Sequence, residues 1–163
     1  MKPIDEPRST DVFGSDKRSA VMRAVKGAGT GPERVVRQIV WSLGGRYRLN
    51  RADLPGRPDI VLPGRRLAIF VHGCFWHGHD CRRGARVPQT NRPYWIAKIG
   101  RNRVRDAAAC EALVAAGWRA ETIWECELRN GPAVRGRIAA MLDQTTGSTN
   151  TSEVTELAMK QSS

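Results

Sequence analysis

The chain has 163 residues, enough for one domain with a core of its own and little more. Lysine and arginine total 27 against 16 acidic residues, a net charge of +11 that suits a polyanion, nucleic acid ahead of a membrane surface. No apolar run approaches the ~20 residues of a spanning helix, and no export signal is read, so the four cysteines are expected to be reduced ligands or core thiols rather than two disulfides.

Residues 1–14 are polar and aperiodic and read as a flexible segment, residues 15–143 as one domain, and the Ser/Thr-rich residues 144–163 as a disordered tail. Within the domain, Val21, Met22 and Val25 give residues 15–26 a helical spacing. Thr30 to Glu33 is a capping box with Pro32 in the first turn. The helix it opens carries Val35, Val36, Ile39, Val40 and Leu43 and stops at Gly44-Gly45. Residues 46–51 alternate like a half-buried strand. Residues 58–62 and 67–71 are short apolar runs around a Pro63-Gly64 turn, suited to paired buried strands. Asn91 is expected to cap a helix over 93–100. A second helix over 103–116 ends at Gly117, a strand covers 118–125, and Pro132 opens a last helix to Asp143. Trp41, Trp118 and Trp124 fall in these elements and read as core. The pattern is a small α/β domain with a mixed sheet.

All three histidines and two of the four cysteines lie in HGCFWHGHDC, His72 to Cys81. Zinc takes four tetrahedral thiolate and imidazole ligands. Cys74, His79 and Cys81 supply three from one loop, the last two placed on one side of an extended segment. Cys126, just past a strand end, is preferred as the fourth over Cys110, which has a helical apolar face around it. With four protein ligands such a zinc is structural. His72 and His77 are left over. Pro58-Asp59 opens the neighbouring strand, and one carboxylate at a strand end suffices to hold Mg²⁺ in phosphodiester chemistry, with a neutral imidazole nearby to take the proton of an attacking water. The acidic residue and lysine that many nucleases carry on the following strand are absent from AIFVHG, and histidines stand there instead. Phe75, Trp76 and Trp95 flank a basic loop and can stack on or wedge between bases, or else pack over the metal site, the reading favoured for Trp95. Arg82, Arg83, Arg86, Arg92, Arg101, Arg103 and Arg105 are candidate phosphate contacts.

The chain resembles the very short patch repair (Vsr) DNA mismatch endonucleases. The resemblance is carried by MRAV at Met22, Glu33, LPGRPD from Leu54 to Asp59, HGCFWHGHDC, the run from Trp95 through Lys98, Asn102 and Arg105 to Asp106, Gly117-Trp118, and WEC from Trp124. It implies a restriction-endonuclease-like fold, a central mixed sheet flanked by helices with a structural zinc site. It implies a Mg²⁺-dependent nick 5′ of the thymine in T:G mismatches left by deaminated 5-methylcytosine, in double-stranded DNA. By position, Asp59 and the main-chain carbonyl of Val71 would bind Mg²⁺, and His77 would be the general base, oriented by Asp106. His72 and Glu33 would act through metal-bound water and the scissile phosphate. Cys74, His79, Cys81 and Cys126 would hold Zn²⁺. Phe75, Trp76 and Trp95 would enter the duplex beside the mismatch, with Met22 touching it from the other groove. The implied companions are a cytosine-5 methyltransferase and mismatch-repair proteins, and the implied setting is a monomer in the bacterial cytoplasm, at the nucleoid. Val71 stands where relatives often have threonine, and Gly78 replaces a common extra histidine. Two other functions fit the same residues: a restriction-type endonuclease cutting matched duplex, and a non-catalytic zinc-containing DNA-binding module.

Overall fold

The computed structural model describes residues 29–144. The expected helix over 15–26, the contact assigned to Met22, the segment 1–14 and the tail from residue 145 lie outside the described residues. The elements are α1 (Gly31–Ser42), β1 (Arg48–Leu49), β2 (Ile60–Leu62), β3 (Leu67–His72), α2 (Arg92–Ala115), β4 (Arg119–Trp124) and α3 (Gly131–Asp143). The four strands pair in chain order: β1, β2 and β3 antiparallel, β3 and β4 parallel with Leu67 opposite Arg119 and His72 opposite Trp124. This is the mixed sheet flanked by helices that the sequence leads one to expect.

The side-chain period of two sorts β3 between two cores. Leu67 and Ile69 join Ile60, Leu62 and Ile123 against Val36 and Val40 of α1 and Val134, Ile138 and Met141 of α3. Ala68 and Phe70 face the other way, onto Ala109 and Leu113 of α2. A strand covered on both faces reads as a continuous apolar run, which is why LAIFV carries no alternation. The capping box at α1 forms as expected: Thr30 Oγ1 accepts from the Glu33 amide, and the Glu33 carboxylate accepts from the Thr30 amide.

Three expectations are corrected. The two helices over 93–100 and 103–116 are one, α2, running through Gly100. An interior glycine costs about 1 kcal/mol, and the burial of Ile99 on one side of it and Ala109 and Leu113 on the other offsets that cost. Asn91 makes no side-chain cap; its backbone is left-handed, φ 57°, and Pro93 occupies the first turn instead. Trp41 is not core. It is 71% exposed, because Val36 and Val40 set the buried stripe of α1 and Trp41 falls beside it.

Candidate active site

Asp59 is placed by a break in the ladder. β2 starts at Ile60, opposite Ile69, so Pro58 would face Val71. Proline has no N–H, and the pairing stops there. The Asp59 side chain takes over, its Oδ2 accepting from the Val71 amide at 2.7 Å. The preceding turn needs Gly56: φ is +73°, and a Cβ would stand 2.6 Å from that of Ala109. Burial pushes the Asp59 carboxyl up to about 6, the Val71 amide opposes this, and the Glu33 charge adds to it. A desolvated carboxylate with one oxygen committed and the other left as a ligand atom, beside a second acid, fits a hard divalent cation. The cleft it lines has a volume of about 980 Å³ and also holds Glu33, Val71, His72, Trp76, His77, Lys98, Asn102, Arg105 and Asp106 among its walls.

His72 ends β3 and His77 lies in the following loop. Their rings stack at 3.8 Å, within 7° of parallel. His77 Nδ1 is 2.5 Å from Asp106 Oδ2 of α2. That partner fixes the ring and leaves Nε2 to do proton chemistry. His72, His77 and Asp106 are close enough to be considered as a metal trio, but ring-nitrogen lone pairs lie in the ring plane, and two parallel planes do not converge on one ion. Burial, and then His77, push His72 down to about 4, so it is neutral at physiological pH. Glu33 and His72 are the buried polar residues among those described. Both Glu33 oxygens are engaged: Oε1 by Thr30, Oε2 by the Gly29 amide and by Arg37, at 2.8 and 2.7 Å.

The zinc expectation meets a well-matched donor set. The ligand atoms of Cys74, His79, Cys81 and Cys126 all lie within 4.8 Å of one another, and Cys126 Sγ is 3.4 Å from His79 Nδ1. Tetrahedral zinc holds sulfur and nitrogen ligands about 3.6 Å apart. All four cysteines are free thiols, and Cys110 packs in the α2 core cluster, away from this set. The loop is not extended as expected. It coils, with the His79 amide bonded to the Cys74 carbonyl at 3.0 Å and the Cys81 amide to the His79 carbonyl at 2.9 Å. The Gly84 amide donates to Cys81 Sγ at 3.4 Å. That bond and the His79 ring draw the Cys81 thiol down to about 6, while burial pushes Cys74 up to about 12. A cation bound among these thiols would hold them all deprotonated.

Phe75, Trp76 and Trp95 form one cluster, with ring centroids 5.0 to 6.1 Å apart, and Trp76 lines the cleft. Tyr94 joins it, and Lys98 Nζ lies 5.5 to 6.0 Å from three of the rings. The arginines named as phosphate contacts are all exposed. Sequence reasoning missed several partners. Asn102 Nδ2 donates to the Trp76 carbonyl at 2.8 Å and ties the aromatic loop to α2. Arg83 pairs with Glu125 at 2.9 Å across 42 residues, a separation no local signal reveals. Arg37 stands one helical turn after Glu33, a spacing that could have been read.

The family model described as DNA mismatch endonuclease Vsr matches residues 10–83. The type II nicking enzyme V.XorIIP of Xanthomonas oryzae pv. oryzae is 48% identical over 134 residues, covering 82% of this chain and 98% of that protein. The chain belongs to the Vsr DNA mismatch endonuclease family. It is a DNA endonuclease, as that family is. The DNA mismatch endonuclease Vsr of Escherichia coli K12 is 41% identical over 119 residues, 73% of this chain and 76% of that one. The catalytic domain of the homing endonuclease I-Bth0305I aligns with a TM-score of 0.48 and 23% identity over 69% of this chain and 94% of its own. The Vsr family match takes in Glu33, Asp59, His72, His77 and three cluster ligands, while Asp106 and Cys126 lie beyond its end. No helix among the described residues is long and apolar enough to cross a membrane.

Proposed function

We propose that this endonuclease nicks one strand of double-stranded DNA on the 5′ side of the thymine in a T:G mismatch, with Mg²⁺ at the active site and Zn²⁺ in the Cys/His loop. The observation that carries the reading is the meeting, in one cleft, of the Asp59 carboxylate and the His77–Asp106 pair. Asp59, with the Val71 carbonyl beside it, holds the cation. When bound, Mg²⁺ polarises the phosphate and stabilises the leaving oxygen. His77 accepts the proton of the attacking water at Nε2, and Asp106 keeps Nδ1 protonated and the ring in place. His72, neutral and stacked on His77, hydrogen-bonds water at the phosphate; Glu33 closes the same wall of the cleft. Phe75, Trp76 and Trp95 enter the duplex, and a mismatched step yields to such a wedge at lower cost than a matched one. Met22 approaches from the other groove. The zinc ligands Cys74, His79, Cys81 and Cys126 hold the loop that carries Phe75, Trp76 and the base.

Two relatives support the single-strand outcome in their names: V.XorIIP, and V.NmeAIP of Neisseria meningitidis, 40% identical, are nicking enzymes. The substrate would arise by deamination of 5-methylcytosine, which links the enzyme to a cytosine-5 methyltransferase and to repair proteins in the bacterial cytoplasm. One site cutting one strand is served by a monomer. The test is a labelled duplex with one T:G pair, incubated with Mg²⁺ beside its matched control and beside Asp59→Ala. A single nick next to the mispaired thymine, absent from both controls, is expected. Cleavage of the matched duplex would make it a restriction-type enzyme, and binding without any cut a DNA-binding module.

A further inference from the structure

Four rings form a continuous column from the Cys/His cluster to the proposed base. His79, a cluster ligand, stacks on Trp124 at 4.2 Å and 19°. Trp124 meets His72 edge-on at 5.3 Å and 72°. His72 stacks under His77 at 3.8 Å, and His77 ends the column at Asp106. The three histidines lie at the start of one loop, the connection from β3 to α2. Trp124 is the one ring of the column supplied by another element. It comes from β4, directly opposite His72 in the parallel ladder, and the next amide, Glu125, bonds the His72 carbonyl at 2.9 Å.

We propose that Trp124 is a positioning residue of the nicking reaction: its indole holds the His79 ring at the metal loop and, through the edge-to-face contact, fixes the plane of His72, on which His77 is stacked. This rests on the reading of His77 as the proton acceptor. Main-chain bonds at Gly73 and Cys74 set the course of the loop, but not the rotation of the imidazoles. His77 is held at one edge by Asp106 and on one face by His72. His72 in turn meets Trp124 and, more distantly, Phe70 at 5.7 Å. Removing the indole therefore takes away the nearer of the two rings that, besides His77, hold His72, and weakens one of the two restraints on His77. A small misplacement of a reacting group is costly in rate and nearly silent in binding.

The test uses the full chain with zinc and compares wild type, Trp124→Phe and Trp124→Leu. Zinc content per chain, affinity for the T:G duplex, single-turnover nicking rate and the imidazole C–H resonances of His72 and His77 without DNA are measured. The expected result for Trp124→Leu is full zinc, affinity within about twofold of wild type, and a rate lower by about tenfold or more. Its His72 resonances lose the shift imposed by the indole, and Trp124→Phe, which keeps a ring, lies between. A rate within about twofold of wild type in the leucine variant overturns the proposal, as do unmoved His72 resonances. A rate loss that follows zinc loss in both variants also overturns it, because the indole would then serve the metal loop alone. A wild-type protein that cuts no mismatched duplex sinks the function proposed above, while the His72 resonances still report whether Trp124 fixes that ring.

Discussion

Asp59 fills the gap that Pro58 leaves in the ladder, and that position withholds water from its carboxylate. Its pKa is pushed up to about 6 from 3.8, chiefly by burial. A carboxyl raised in the folded state binds a proton that the unfolded chain has released. The stability this contributes is complete below 3.8 and is lost as pH rises through about 6. At pH 8 the ionised group therefore destabilises the fold. Asp59→Asn keeps an oxygen for the Val71 amide and removes the charge. It is expected to abolish nicking and to raise the unfolding free energy at pH 8 by on the order of 2 kcal/mol, with no gain at pH 4. Urea unfolding in Mg²⁺-free buffer at both pH values measures this, and an asparagine variant no more stable than wild type at pH 8 would refute the desolvated carboxylate. The Pro-Asp pair was visible in the sequence because it marks a strand start. The amide that anchors it was not, since that bond follows from the register of β2 on β3.

The loop between β3 and α2 shows what an element owes to one small residue. Gly84 is buried, and a Cβ there would lie 2.0 Å from the His79 carbonyl oxygen and 2.9 Å from that of Cys74. Those neighbours are main chain of the coil that carries the cluster ligands, so they cannot swing aside. Gly84→Ala is expected to force the coil open. Metal analysis should find less than one zinc per chain, and the melting temperature should fall by an amount matching about 1–3 kcal/mol or more, the scale of overpacking in a filled site. An alanine variant with full zinc and an unchanged melting temperature would show that the coil can open without cost. The gathering of Cys74, His79 and Cys81 was legible because thiolate and imidazole have few other reasons to crowd into ten residues. The coil was not, because Gly84 lies past Cys81, outside the Cys/His run, and its use is set by a contact at five residues' distance. Likewise α2 was read as two helices: Gly100 interrupts its local propensity, while the tertiary burial of Ile99, Ala109 and Leu113 that overrides it leaves only a weak mark in the sequence.

Across the molecule, exposed arginines are concentrated on α2 and the loop before it. On the α3 side, Arg137 pairs with Glu127 and Glu121 and donates to the Thr122 carbonyl, and Arg119 binds the Met141 carbonyl and Gln144 at the helix end. These arginines hold α3 to the sheet. On the side of α2 and the loop before it, Arg82, Arg86, Arg92, Arg101, Arg103 and Arg105 are exposed and have no carboxylate within 4.0 Å among the described residues. Net charge alone, +11, pointed to a polyanion but not to a face. The face follows from which elements border the cleft, where Arg105 stands beside His77 and Asp106, and that needs the fold. Each phosphate contact releases a counterion, so with these six engaged the slope of log affinity against log salt is about −5, roughly a 10³-fold loss between 50 and 200 mM. Replacing Arg101, Arg103 and Arg105 by alanine together is expected to flatten that slope by about 3 on matched and mismatched duplex alike. Arg137→Ala on the opposite face should leave the slope unchanged and cost stability instead. Fluorescence anisotropy across a salt series measures both. Equal slopes for the triple variant and wild type would place the duplex on a different face from the cleft, and the aromatic wedge and the His77–Asp106 pair could then not act on the same phosphate.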